Sequence, residues 1–149
     1  MKRIIIFLVC LFLVFPAAAD PVYILCQPDS FVNVREFPKK TGNVCGRLEL
    51  GQEVETDGVK KNGYLHIIGT GFEGIDTWVH AGFVTFYPVS VLTMQTEIVS
   101  KGRVACRRSI KGTRRKWLKN GTKTVIFAFA DDWAITNQGF IQTRFLGGF

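Results

Sequence analysis

The sequence predicts an all-β protein made of two small, similar barrels in tandem. One motif occurs twice, as Val32–Arg35 with a later turn at Gly51 and as Val104–Arg107 with a later turn at Gly121. The arginines that end the two motifs lie 72 residues apart, and the two glycines lie 70 residues apart. Around the motifs, short runs of β-branched and aromatic residues alternate with Gly, Asn and Asp, which is typical of antiparallel strands. Because no stretch has the apolar spacing of a helix, we expect a duplicated β module.

The N-terminal segment has the three parts of a secretory signal peptide. Lys2 and Arg3 form a basic start, residues 4–15 are apolar, and alanines at 17–19 precede Asp20. The apolar run of about 12 residues is shorter than the roughly 20 that a spanning helix needs. We therefore expect residues 1–19 to be cleaved, leaving a chain that is exported to the periplasm or the exterior and does not span a membrane.

The strands are expected in the same order in both copies. Those of the first copy are predicted at residues 31–34, on both sides of the Gly51 turn, and at 64–68 and 78–84. Those of the second are predicted at residues 104–107, 124–129, 133–136 and 140–146. From Tyr64 to Trp78 is 14 residues but from Trp133 to Phe140 only 7, so the first copy carries a longer loop, which contains Phe72.

The domain boundaries follow from the same pattern. We expect a first domain at residues 20–88, a connecting strand or linker at 89–99 and a second domain at 100–149. The connecting residues are too apolar for a flexible tether, so they are expected to form a strand that closes the first copy or opens the second. Modules of about 65 residues are marginally stable alone, which favours two docked modules that share buried surface.

Charge differs sharply between the halves. Residues 20–99 hold 6 Lys and Arg against 10 Asp and Glu, whereas residues 100–149 hold 11 against 2. The densest cluster of cations stands beside the indole of Trp117. These residues together are candidate ligand contacts: Arg107, Arg108, Arg114, Arg115, Lys116 and Trp117. Arginines bind carboxylates and phosphates, and an indole stacks on planar groups. A solvated loop and docking on the acidic first half remain alternatives, while export makes nucleic acid a poor partner.

Export implies an oxidising compartment, in which cysteines can form disulfides. Cys26 and Cys45 both fall in the first copy, and we expect them to form a disulfide. Cys106 stands at the position of Val34, so a buried free thiol is the simplest expectation there.

Residues suited to catalysis or metal binding are few. His66 and His80 are the only histidines, and neither has a second metal ligand at useful spacing. Cys106 has no local signature of an activated nucleophile. We expect no enzymatic activity, no metal and no cofactor.

The motif and its surroundings resemble bacterial-type SH3 domains. The first copy matches that family at Val32-Asn33-Val34-Arg35, Leu48, Gly51, Val54, Tyr64 and the run from Trp78 to Val84, with Thr77 in place of a glycine. The second copy is more degenerate, with Ala105 for Asn33 and Phe140 for Trp78, but it keeps Arg107, Gly121, Trp133 and Gly139. The arginine of each copy is expected to hydrogen-bond the loop that follows it.

The resemblance implies a binding protein of the cell envelope. Its ligand would be peptidoglycan peptide or an anionic envelope polymer, held by an aromatic groove around Tyr64 and Trp78 and by the basic residues of the second copy. An alternative is a protein-protein interaction module, of inhibitor or immunity type, whose basic second domain meets an acidic protein.

Overall fold

The computed structural model describes residues 19–69, 76–110 and 112–148. Within them the chain forms fourteen strands and two short 3₁₀ helices, and no α-helix. The strands are β1 (Asp20–Ile24), β2 (Val32–Arg35), β3 (Val44–Leu48), β4 (Glu53–Thr56), β5 (Lys60–Lys61), β6 (Tyr64–Ile67), β7 (Thr77–His80), β8 (Val84–Thr85), β9 (Ser90–Glu97), β10 (Val104–Arg107), β11 (Arg114–Leu118), β12 (Lys123–Ala130), β13 (Trp133–Thr136) and β14 (Gly139–Gln142). The 3₁₀ helices are Ala81–Phe83 and Thr143–Phe145. The predicted all-β fold is confirmed.

The strands form three antiparallel sheets. The first half contributes the orders β4-β1-β8 and β3-β2-β7-β6-β5, and the second half contributes β11-β10-β14-β13-β12-β9. Each half wraps one apolar cluster, with Val34 and Leu65 at the centre of the first and Ile126 and Ile141 at the centre of the second. The halves are barrel-like, but neither hydrogen-bond ladder closes on itself.

The sequence repeat is also a repeat of hydrogen bonds. Strand β2 pairs with β3, and β10 pairs with β11, in the same register and with the same bulge before the motif arginine. Arg35 Nη1 donates to Gly42 O at 2.6 Å, and Arg107 Nη1 donates to Gly112 O at 2.9 Å. The expectation that each arginine ties down the loop after it is confirmed.

The apolar segment after Pro88 is a strand and belongs with the second half. β9 pairs with β12 from Glu97 to Ser90, just as β1 pairs with β4 in the first half. The N–H of Ile24 donates to Gln52 O, and the N–H of Ile98 donates to Thr122 O. We therefore call residues 20–85 the first repeat and residues 90–146 the second repeat.

Three strands are not predicted by the sequence: β1, β5 and β11. β11 is an edge strand in which Arg114, Arg115, Lys116 and Trp117 are all exposed. A strand without a buried face shows no alternation of apolar and polar residues, so it resembles a charged loop. The predicted long loop around Phe72, most of the predicted signal peptide and Lys111 lie outside the described residues.

The two repeats share a core. Leu25 and Leu50 of the first repeat pack with Ala128, Ile135 and Phe140 of the second. Leu25 is fully buried there, although it follows the last residue of β1. The expectation that the modules share buried surface is confirmed.

The predicted Cys26–Cys45 disulfide is wrong. Both cysteines are free thiols, and both pack in the first core, Cys26 fully and Cys45 partly buried. They act as small apolar side chains, and the Cys26 thiol donates to Ser30 O at 3.5 Å. Burial, aided by the charge of Glu49, raises the pKa of Cys26 to about 11.

The prediction for Cys106 is confirmed. Its thiol is free and fully buried, and it donates to Gln138 O at 2.7 Å. Burial raises its pKa despite the opposing effect of the nearby Lys116 and Arg115 charges. A buried, protonated thiol is a poor nucleophile.

Candidate ligand-binding site

The outer face of the five-stranded sheet carries a row of rings. Because side chains alternate along a strand, Leu65 points into the first core while Tyr64 and His66 point away from it. On neighbouring β7 the outward residues are Trp78 and His80. Tyr64 meets His80 edge to face at 5.3 Å between centroids, and His66 lies on Trp78 at 4.9 Å with a 44° tilt.

One end of this row opens into a groove, which we call the aromatic groove. Its volume is about 820 Å³. Its apolar wall contains Phe31, Tyr64 and Phe83, with His80 beside them. Its cations are Arg35, Lys39, Lys40 and Arg108, and among the described residues no carboxylate side chain lines it. The groove therefore suits a ligand that combines an apolar or planar part with a negative charge.

Local hydrogen bonds hold the groove in shape. His80 Nδ1 accepts the N–H of Gly82 at 3.1 Å and so caps the 3₁₀ helix that carries Phe83. The neutral imidazole then has its proton on Nε2, which is left to donate to a ligand. On the opposite wall, the Arg35–Gly42 bond holds the β2–β3 loop that bears Lys39 and Lys40. Both walls are thus preorganised.

His66 has a supporting role beneath the groove. Its Nδ1 lies 2.7 Å from Asp57 Oδ2, and its Nε2 lies 3.9 Å from Asp76 Oδ1. Burial raises the pKa of Asp57, but hydrogen bonds from His66 and from the Val59 N–H outweigh this, so that its pKa is lowered. Among the described residues, the side-chain partners of His66 are these two carboxylates, and its ring packs on Trp78.

The two predicted aromatic contacts differ in position. Tyr64 lines the aromatic groove. Trp78 is 8% exposed, packs on His66 and is not among the residues that line the groove. Its counterpart Phe140 is also buried, but it packs in the core shared between the repeats.

The predicted basic residues fall into two groups. Arg107, Arg108 and Arg115 line a small cleft of about 360 Å³ together with Gln27 and Gly139, which we call the arginine cleft. Arg108 lines both this cleft and the aromatic groove.

The second group lies on the exposed edge strand β11. There the Arg114 guanidinium stacks 4.5 Å from the Trp117 ring, and Lys116 Nζ donates to Gln138 Oε1. Arg114, Lys116 and Trp117 line neither the groove nor the cleft.

Several groove residues are not identified by the sequence: Phe31, Lys39, Lys40, His80 and Phe83. A usable signal for His80 was its place two residues after Trp78, which puts both on one face of a strand. Lys39 and Lys40 carry no such signal, because only the bulge and the Arg35 anchor bring their loop to Tyr64.

Comparison with known proteins adds little. No protein-family model and no curated protein matches the chain. It is similar to NlpC1 from Trichomonas vaginalis, with 18% identity and a TM-score of 0.37 over 90% of this chain and 47% of that one. It is also similar to NlpC2 from the same organism, with 17% identity and a TM-score of 0.37 over 91% of this chain and 50% of that one. The chain spans about half the length of these proteins, and the likeness is too distant to assign a fold or an activity.

The described residues contain neither a metal-ligand cluster nor a membrane-spanning helix. No group of three or more His, Cys, Asp and Glu side chains is arranged to hold a metal ion. Among the same residues, no helix has the length and apolar character to cross a bilayer.

Proposed function

We propose that the protein is an exported, non-enzymatic binding module of the bacterial SH3 type, and that it recognises peptidoglycan peptide in the aromatic groove. The observation that carries the proposal is the groove itself, whose described lining residues include three aromatic rings and four cations but no carboxylate. Wall peptides combine small apolar residues with free carboxylates, so they match both halves of this lining. Charge-assisted hydrogen bonds from Arg108 or the lysines would supply about 1.5–3 kcal/mol each.

The second repeat offers a reason why the first would bind the ligand. Trp133 and Phe140 stand at the positions of Tyr64 and Trp78, but they pack in the core shared between the repeats. Among the described residues, Tyr64 and Trp78 of the first repeat belong to no such shared cluster, and Tyr64 lines the groove.

The experiment is retention on purified wall sacculi at low salt. The double variant Lys39→Gln, Lys40→Gln removes two groove cations, and Lys119→Gln, Lys123→Gln removes two cations of the second repeat that do not line the groove. We expect the first variant to lose about 10-fold in retention and the control to stay within about twofold. Absence of wild-type retention would contradict the proposal, and equal losses would reduce it to a general charge effect.

A second candidate, binding of an acidic protein, is favoured by the edge strand β11. Trp117 is 47% exposed there and stacks with Arg114. Exposed Trp and Arg side chains are typical of interface hot spots. The test is capture of proteins from an envelope fraction with the wild type and with the double variant Arg114→Ala, Trp117→Ala. Binding of an acidic protein at β11 predicts that the variant loses a protein partner but keeps its retention on sacculi. Peptide binding in the groove predicts no such loss.

A further inference from the structure

The arginine cleft brings three guanidinium groups together by means of a bulge. In the β10–β11 pair, Cys106 faces Lys116 and Arg107 faces Arg114, so Arg115 is the extra residue of the bulge. A bulge turns the extra side chain out of the regular alternation. Arg115 thereby lines the same cleft as Arg107 and Arg108.

These three cations have no carboxylate partner. Among the described residues, the ion pairs are those of His66 with Asp57 and Asp76. Arg107 donates to Gly112 O, Arg115 donates weakly to Gln138 O at 3.5 Å, and the Arg108 side chain makes no hydrogen bond within the described chain. Three like charges at one small cleft repel each other, and a bound anion would relieve that repulsion.

The first repeat shows that the fold does not require this charge. At the positions of Arg107, Arg108 and Arg115 it has Arg35, Glu36 and Cys45, on the same backbone frame with the same bulge. There Glu36 accepts a hydrogen bond from Asn43 Nδ2 at 3.0 Å, as part of a neutral arrangement. The formal side-chain charge at the three positions therefore changes from 0 to +3 between repeats, counting the Cys45 thiol as neutral.

Gly139 lines the cleft with backbone atoms alone, and its position leaves no room for a side chain. It has a φ of +130°, and a Cβ there would lie 2.6 Å from both Arg107 O and Cys106 Sγ. The first repeat has Thr77 at this place, in register with Ile67 as Gly139 is with Thr136.

From these observations we propose that the arginine cleft binds a phosphate group. One guanidinium fork can engage both oxygens of a carboxylate. Three guanidinium groups at one cleft are better matched by an anion with more acceptor oxygens than a carboxylate, and a phosphate group has four. The group is either a free phosphate ion or part of an anionic phosphate polymer. The arginine cleft adjoins the peptide groove of the proposed function through Arg108, whereas Arg107 and Arg115 line the cleft and not the groove.

The test is calorimetric titration of the chain from residue 20 onward with inorganic phosphate, against chloride at equal ionic strength. The variant is Arg115→Gln, and its matched control is Arg114→Gln on the neighbouring residue, which changes net charge equally outside the cleft. We expect a wild-type Kd on the order of 1 mM, a loss of about 10-fold or more for Arg115→Gln and a change within about twofold for Arg114→Gln. Equal loss in both variants, or no binding beyond chloride, would overturn the proposal.

Two further ligands identify the chemistry. Acetate that binds as tightly as phosphate would overturn the assignment to phosphate in favour of carboxylate. If dimethyl phosphate competes with inorganic phosphate for the cleft, the result supports a phosphodiester of a polymer. If dimethyl phosphate does not compete, the result supports a free phosphate ion or a monoester.

The outcome is distinguishable from that of the proposed function. On sacculi stripped of phosphate polymers, Arg115→Gln is expected to be retained like wild type, since Arg115 does not line the aromatic groove. Failure of phosphate binding would leave that retention intact, and failure of retention would leave the phosphate titration intact.

Discussion

The same sheet face has different surroundings in the two repeats. In the second repeat, Trp133, Ile135 and Phe140 on this face belong to a shared apolar core with Leu25 of the first repeat. In the first repeat, the corresponding positions hold Tyr64, His66 and Trp78. The imidazole of His66 needs polar partners, which it finds in Asp57 and Asp76, so this face is unsuited to a second apolar dock. A duplicated module can thus use one face for assembly in one copy and not in the other.

The other end of each module shows the converse difference. Leu25 is fully buried between the repeats, whereas Val99, at the matching hydrogen-bonded position, is 51% exposed. Leu50 packs in the shared core, and its counterpart Asn120 is exposed. The repeats therefore dock end to face, in one direction only.

The largest loss of stability is expected from exchanging Gly139 of the second repeat and Thr77, its counterpart in the first repeat. Gly139→Thr places a Cβ 2.6 Å from Arg107 O and Cys106 Sγ at a φ of +130°, so strain and overlap together should cost about 4 kcal/mol. Thr77→Gly loses only the bond from Thr77 Oγ1 to Ile67 O, at 2.7 Å, and some chain entropy, about 1–3 kcal/mol. Urea unfolding measures the loss of stability in each variant. Equal losses would mean that the two positions tolerate the exchange equally, which would contradict this prediction.

A somewhat smaller effect is expected at the contact between repeats. Leu25→Ala opens a cavity in the shared core and should lower the free energy of unfolding by about 2–5 kcal/mol. Val99→Ala, its exposed counterpart, should cost less than about 1 kcal/mol. Thermal unfolding measures both. A small effect of Leu25→Ala would show that the repeats are stable without docking.

The loop anchors should behave alike in both repeats. Arg35→Gln removes the bond to Gly42 O, and Arg107→Gln removes the bond to Gly112 O, each at about 1–2 kcal/mol because the bonds are charge-assisted but partly exposed. The double variant should show additive losses in urea unfolding, since the anchors lie in separate repeats. A loss confined to one repeat would contradict the structural equivalence.

The smallest effect is expected on the pH dependence of stability in the alkaline range, which arises from Cys26 in the first core. Burial holds Cys26 protonated with a pKa of about 11 instead of 9.0, so its contribution to stability is present below pH 9 and is lost as the pH rises toward 11. Cys26→Ala should be less stable overall but have a shallower decline over this range. Thiol titration in urea without reductant should also find Cys26, Cys45 and Cys106 free, and two missing thiols would show that the disulfide forms.

The sequence by itself determined the β class, the duplication, the role of the motif arginine and the burial of Cys106, because each depends on local pattern or on comparison of the copies. It also placed Tyr64 at the site. Tertiary structure alone decided that Cys26 and Cys45 stay reduced, since packing in one core does not require a bond between two thiols. It also decided that Arg108 and Arg115 separate from Arg114 and Trp117, because a single bulge changes which way each side chain points. Which apolar face docks and which stays free depends on contacts between residues about a hundred apart in the chain, and no local pattern carries that information.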